Sequence, residues 1–337
     1  MIQDGAPLPD GRYTRSATVG GRALSDLADA YRVLELYDGG ATVVLQALHR
    51  SWPPLMEFCR QLAAELGHPT QCNAYVTPPG SRGFGAHHDT HDVFVLQVDG
   101  TKRWHVHEPV VTLPLRSQPS AAYTREGSLV PEGAEPLLSM VLSPGDALYL
   151  PRGYIHAAET NADRSIHLTV GVAPLTWYDV LTDAVALAAD EEQFRQAVPI
   201  AAAGEVPAFL SAAAQWLEQL PPERIADSVR ARRRRSLPAE PVGVLAQADA
   251  VRRLTATDRV RLRAGLGWSA SVEADRVVLE LADRQISMPV VAEPALRRVL
   301  DATAYAAGDL VTAALDVADV LVLLRRLLRE RVVVPAP

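Results

Sequence analysis

Between Gln71 and Pro174 the sequence breaks into strand-length runs separated by glycine and proline turns, and that punctuation restricts the fold more than any other feature. The runs fall at 73–77, 87–90, 93–98, 103–107, 137–142, 147–150 and 166–172. The turns fall at Pro78-Pro79-Gly80, Asp99-Gly100 and Pro144-Gly145-Asp146. Many short strands punctuated in this way specify a β-sandwich or barrel, and a jelly-roll or cupin barrel fits the pattern.

The flanks follow other periods. Residues 24–31 predict a short helix and 41–48 a β-rich run, and Pro53-Pro54 opens a helix to Leu66 that Gly67 closes. From Trp177 to about Val229 apolar residues recur with helical spacing, as at Leu181, Ala184 and Val185 and again at Phe209, Ala212, Trp216 and Leu217. Beyond Pro238, helices are expected at 251–254, 294–300 and 317–329, and strands at 269–273, 276–281, 285–290 and 332–334. Small helices around a hairpin suggest a winged-helix-like unit. The expected class is α+β, with a double-stranded β-helix over 1–175, a helical region over 176–237 and the winged-helix-like domain over 238–337.

The chain has 337 residues, of which 48% are hydrophobic, so it can bury a substantial core. No apolar run suits a membrane span. The polar start from Met1 to Thr14 lacks the layout of a secretion signal, so a cytoplasmic location is expected. Net charge is −7, which argues against nucleic acid as the main partner. Acidic and basic residues balance in 238–337, and no direct DNA binding is expected there. The arginine run at 230–235 reads as a solvated linker or helix end, with a local dock for an acidic or RNA-bearing partner as the alternative. Cys59 and Cys72 lack ligand spacing and read as small buried hydrophobes.

The chemistry centres on Gly85-Ala86-His87-His88-Asp89. On a strand, residues two apart share a face, so His87 and Asp89 point the same way, as half of a 2-His-1-carboxylate triad. The same spacing from His88 reaches only Thr90. The run Gly145 to His156 supplies the third ligand, with a Pro151-Arg152-Gly153 bend placing His156 near the barrel mouth. Two imidazoles and a carboxylate suit Fe(II), Mn(II) or Zn(II). Lys102 is the only lysine in the chain, a compact charge where every other basic residue is arginine. Set on a strand antiparallel to the one bearing His87 and Asp89, it can bind the distal carboxylate of 2-oxoglutarate, which favours Fe(II). Asn73 and Tyr75 share a strand face and can donate to the same anion. His88, His91, His105 and His107 are expected to pack outward, with His91 near the mouth. His167 shares the face of Ser165 and Thr169 and is a candidate outer hydrogen-bond partner of the metal site. His49 and His68 read as turn or surface residues.

Several stretches together resemble the JmjC ribosomal oxygenases: 73–80, 83–89, 92–97, Lys102-Arg103-Trp104, 148–156 and 165–169. The resemblance covers nearly the whole chain. It implies a JmjC-type catalytic cupin barrel, a helical dimerisation region that pairs two subunits and a C-terminal winged-helix domain. It implies that His87, Asp89 and His156 bind Fe(II), and that Lys102 binds 2-oxoglutarate with help from Asn73, Tyr75 and Thr169. It also implies hydroxylation of a side chain in a protein or peptide, with a ribosomal protein as candidate. Lys102 is closer to the human branch of that family and Asp92-Val93-Phe94 to the bacterial branch, which leaves the substrate amino acid open.

Other readings use the same residues. A hydroxylase of a small molecule or natural-product peptide differs only in pocket breadth, set by loops such as 116–135. A non-catalytic metal-binding cupin scaffold would have no use for an intact anchor for 2-oxoglutarate. A zinc hydrolase would have no need of Lys102.

Overall fold

The computed structural model describes residues 1–123, 129–130, 133–198, 204–301 and 303–336. The 116–135 loop lies outside the described residues at 124–128 and 131–132. The chain divides into two compact units, Met1–Ala63 with Pro69–Pro174, and Ala64–His68 with Leu175–Pro337.

The first unit opens with β1 (Ile2–Gln3) paired to β2 (Ala6–Pro7), then a hairpin of β3 (Thr14–Val19) and β4 (Arg22–Ala28). Gly20 and Gly21 turn that hairpin at positive φ. The helix expected at 24–31 is therefore absent. Leu24 and Leu27 sit in the β3–β4 ladder, and α1 (Ala30–Asp38) begins only where the Asp29 carboxylate accepts the Tyr31 and Arg32 amides. Strand β5 (Val43–Leu45) follows, shorter than the expected run. Helix α2 (Pro53–Leu66) has the expected bounds, and Gly67 follows it at φ +70°.

The barrel strands are β6 (Thr70–Thr77), β7 (Asp92–His107), β8 (Leu138–Leu142), β9 (Ala147–Leu150) and β10 (Ile155–Val172), ordered β5-β6-β10-β7-β8 with β9 also on β7. The strands expected at 93–98 and 103–107 are thus one long strand, β7, and the strand expected at 166–172 begins already at Ile155 in β10. The turn expected at Asp99-Gly100 is a bend inside β7, opposite a register shift between Thr160 and Ser165 of β10. Gly100 adopts φ +60°, and a Cβ there would fall 1.8 Å from the Arg164 carbonyl oxygen, so only glycine lets the two strands bend together. The bend lets β7 pair with β9 through its first half and β8 through its second. Val93, Val95, Trp104, Val106, Leu142, Leu148 and Leu150 form the buried wall between them. Cys59 and Cys72 pack with Val170 beneath α2, both buried thiols as expected.

The second unit contains α3 (Trp177–Ala186), α4 (Glu192–Arg195), α5 (Val206–Gln219), α6 (Pro222–Ser236), α7 (Val244–Arg253), β11 (Val260–Leu262), β12 (Ser269–Glu273), β13 (Arg276–Glu280), β14 (Gln285–Pro289), α8 (Glu293–Val299), α9 (Val317–Arg329) and β15 (Val333–Pro335). The arginine run lies in the C-terminal half of α6, with Arg233, Arg234 and Arg235 in its last turn. Arg230 pairs with Asp227, Arg232 with Asp179 and Asp183, and Arg234 with Glu280. A capping box at Asp316 and Asp319 starts α9, which buries Val320, Leu323, Leu324, Leu327 and Leu328 at helical spacing. That stripe packs with β13, β14 and α8 in a core running from Leu254 to Val333. No helix among the described residues is long and apolar enough to cross a membrane.

Candidate active site

The ligand atoms of His87, Asp89 and His156 lie within 4.8 Å of one another, the one such group of three among the described residues. The route by which the fold assembles them differs from the expected strand. Residues 87–90 form no strand; His87 and His156 make an isolated bridge. The His87 amide donates to the His156 carbonyl at 3.1 Å, and the His156 amide returns the bond to His87 at 2.8 Å. The Gly153 amide donates to the Asp89 carbonyl at 3.0 Å. Three backbone hydrogen bonds thus tie the segment bearing His87 and Asp89 to the one bearing His156.

The Pro151-Arg152-Gly153 bend is itself anchored. The Arg152 amide donates to Asp92 Oδ1 at 3.0 Å, and the Arg152 guanidinium lies 4.0 Å from the same carboxylate. Gly153 adopts φ +95°, and a Cβ there would meet the Val111 carbonyl oxygen at 2.6 Å.

Both imidazoles are aimed by their own backbone. His87 Nδ1 lies 2.9 Å from the Gly85 carbonyl and His156 Nδ1 lies 3.1 Å from that of Tyr154. Each Nδ1 then carries the proton, and Nε2 is left with its lone pair, which is the form a metal takes. His156 Nε2 is 3.7 Å from Asp89 Oδ2. Burial first, and then the neighbouring His87, push the His156 pKa down to about 4, so its imidazole is neutral. Two imidazoles that present Nε2 and one carboxylate fit a divalent iron site with open positions.

Lys102 is 2% exposed, and burial pushes its pKa down to about 8. Its Nζ crosses behind β10 to donate to Thr77 Oγ1 at 3.0 Å, which places it inside the barrel. Thr42 Oγ1 donates to the same Thr77 hydroxyl at 3.2 Å. Thr77 escaped the sequence reading, although it follows Tyr75 by two and Asn73 by four on one strand face. Tyr75 stacks on His167 with centroids 4.8 Å apart and planes 2° off parallel. Burial, then the Asp89 charge, push the Tyr75 pKa up to about 12, so its O–H remains a donor. Asn73 is turned partly to structure, its Oδ1 accepting the Ala47 amide at 2.9 Å. Thr169 stands opposite Asn73 on β10 and is half-buried.

The other histidines divide. His88 does not pack outward as expected. It is 2% exposed, its amide bonded to Ser120 Oγ at 2.8 Å and its ring beside Tyr123. His91 lies over Gly171, where a Cβ would approach its ring to 2.5 Å. His105 sits 3.8 Å from Glu159 at the surface. His49 Nδ1 accepts the Cys72 amide and His68 Nδ1 the Leu175 amide.

Residues 49–180 match the family model of the JmjC domain. Ribosomal oxygenase 1 of Rattus norvegicus is 36% identical over 206 residues, covering 58% of this chain and 32% of its own. The bifunctional lysine-specific demethylase and histidyl-hydroxylase NO66 of Drosophila persimilis is 42% identical over 116 residues, 33% of this chain and 16% of that one. The chain spans about a third or less of the length of these relatives. The crystal structure of Escherichia coli ribosomal oxygenase YcfD superposes with a TM-score of 0.52 at 19% identity, covering 95% of this chain and 85% of its own. A structure of YcfD with cobalt and 2-oxoglutarate superposes at 0.50 with 18% identity, covering 96% and 86%. These superpositions show a shared JmjC/cupin fold.

Proposed function

From the JmjC domain that residues 49–180 carry, we propose that this chain is an Fe(II)- and 2-oxoglutarate-dependent oxygenase that hydroxylates a side chain of a protein or peptide. One observation carries the reading. Two Nε2 atoms and a carboxylate converge in the same barrel as a buried ammonium whose partner is a threonine hydroxyl, not a carboxylate. A charge kept that far from water calls for an anion to share the site.

His87, Asp89 and His156 would hold the iron, their Nδ1 contacts and the double backbone bridge fixing the donor atoms before metal arrives. Iron, when bound, supplies the redox chemistry that couples oxidative decarboxylation of 2-oxoglutarate to oxygen insertion at a C–H bond. Lys102, steadied by Thr77, neutralises the distal carboxylate. Tyr75 keeps its proton and donates to the same co-substrate, with Asn73 and Thr169 lining the adjoining strands. The wall of Val93, Val95, Trp104, Val106 and Leu142 excludes bulk water from one side of the site.

The names of the relatives point to a ribosomal protein as substrate, which a cytoplasmic enzyme would meet. The second unit supports a further division, with a helical pairing region at 176–237 and a winged-helix-like domain at 238–337 whose core is self-contained. The test is an anaerobic titration of the Fe(II)-loaded protein with 2-oxoglutarate, followed by visible absorption. A charge-transfer band is expected, and a flat spectrum rejects the co-substrate. Mass spectrometry of ribosomal proteins incubated with the complete system should then show the gain of one oxygen atom. No such gain on any of them rejects the substrate class.

A further inference from the structure

Two buried nitrogen atoms have no role in the oxygenase reading, and the role assigned to them here rests on that reading. Trp104 Nε1 and His167 Nδ1 are enclosed by protein and have no hydrogen-bond partner. Trp104 is 5% exposed and His167 3%. Their rings meet edge to face, centroids 5.4 Å apart and planes at 82°. Buried polar groups without partners are rare in folded proteins, and two in contact call for a missing one.

Both lie beside Lys102. Trp104 follows Lys102 by two on β7, so the two side chains share a face, and both are buried. His167 stands on β10 opposite Tyr75, which stacks on it and fixes the plane of its ring. Burial and then the Lys102 charge hold the His167 pKa well below the ordinary imidazole range. A neutral imidazole presents one N–H and one lone pair, and an indole presents an N–H alone. The indole can therefore be satisfied only by an acceptor. Beside an ammonium, the acceptor that satisfies all three groups is an anionic oxygen.

We propose that Trp104 and His167 are specificity-determining residues that hydrogen-bond, through Nε1 and Nδ1, the distal carboxylate of the co-substrate that Lys102 neutralises. Lys102 supplies the charge, and the two ring nitrogens supply direction. The Tyr75–His167 stack keeps the imidazole from rotating away when the pocket is empty. The pocket thereby selects a 2-oxo acid that ends in a second carboxylate over one of equal length that ends in a methyl group.

The test uses full-length protein loaded with Mn(II), without oxygen, and isothermal titration with two probes. These are 2-oxoglutarate and 2-oxovalerate, which has the same carbon chain and no distal carboxylate. Trp104→Phe keeps the ring and removes the N–H. His167→Phe removes the imidazole and His167→Asn restores a donor. Each removal should weaken 2-oxoglutarate about tenfold, or ~1.4 kcal/mol, and leave 2-oxovalerate unchanged, with His167→Asn recovering part of the loss. A variant damaged in its packing weakens both probes together, and that outcome, like unchanged affinity for both, overturns the assignment. If wild type fails to bind 2-oxoglutarate at all, the oxygenase reading itself fails. If wild type binds 2-oxoglutarate and prefers it over 2-oxovalerate, and Trp104→Phe and His167→Phe keep that preference undiminished, that reading stands and this inference falls.

Discussion

An ammonium group taken out of water is unfavourable unless something compensates it, and at Lys102 the described residues provide one hydroxyl. Its pKa in the fold is about 8 against an ordinary 10.5. The folded chain therefore releases this proton before the unfolded chain does. Below about pH 8 the group opposes folding, and the penalty shrinks as pH rises from 8 to 10.5, where the unfolded lysine is still charged. The gap corresponds to a penalty of about 3 kcal/mol at neutral pH. Lys102→Met should make the ligand-free protein more stable at pH 7 and lose 2-oxoglutarate binding, and its advantage over wild type should fade toward pH 10. Paired denaturant titrations across that range check this. A methionine variant less stable than wild type at pH 7 would show that the ammonium is satisfied within the fold. In wild type, 2-oxoglutarate should bind less tightly above pH 8, because the anion needs the charged form. Lys102 is legible in the sequence because it is the one lysine of the chain. Thr77 and the Trp104 nitrogen carry no such mark. Threonine is common in strands and tryptophan in cores, and only the burial of a donor without an acceptor separates a binding atom from packing.

At the scale of elements, the site depends on two non-repetitive segments clipped together. Alternation along a strand brings His87 and Asp89 to one side in the expected fold; in the molecule an isolated bridge and the Gly153–Asp89 hydrogen bond do that work. The residues were readable from spacing, but their support was not, because a backbone bridge leaves no pattern of side chains. The same limit explains the hairpin at Thr14–Ala28. Its apolar residues suit a helix until the Gly20-Gly21 turn and the Asp29 cap are weighed together. The long strand β7 reads as two strands parted at Gly100 for a related reason, since a glycine that bends a ladder and one that ends it look alike in sequence. The bend before His156 gives a direct check. Gly153→Ala adds a Cβ that meets the Val111 carbonyl oxygen at 2.6 Å, at a φ of +95°. Residue 153 must shift, pulling on its bond to Asp89 and on His156 three positions on. Mn(II) affinity, read by electron paramagnetic resonance, should fall roughly 10–100-fold, with a lower melting temperature. Unchanged affinity would show that the bend does not position the metal ligands.

Taken whole, the chain has cores in two units and, among the described residues, leaves apolar side chains of two helices exposed. The barrel wall and the Cys59–Cys72–Val170 cluster belong to the first unit, and the Leu254–Val333 core to the second. The helices between Trp177 and Gln219 have no comparable buried stripe, with only Ala184 buried across α3 and no buried residue in α5. Trp177, Tyr178, Leu181 and Val185 on α3, and Val206, Phe209 and Leu210 on α5, are all roughly half exposed or more. They recur at the three- and four-residue intervals of a helix face. That spacing made the helices legible in the sequence while saying nothing about whether their apolar side would be covered within the chain. Exposed apolar helix faces of this kind mark an interaction site, and a second copy of the chain meets the requirement with a self-complementary contact. Sedimentation or light scattering should therefore give the mass of a homodimer. A double variant, Leu181→Glu with Phe209→Glu, puts like charges on that face and should give a monomer. Because the metal and co-substrate groups all lie in the first unit, the monomer should still bind Mn(II) and 2-oxoglutarate with near wild-type affinity. A monomeric wild type would leave the apolar face to a different partner. A variant that dissociates and loses 2-oxoglutarate as well would show that the pocket is not complete within one chain.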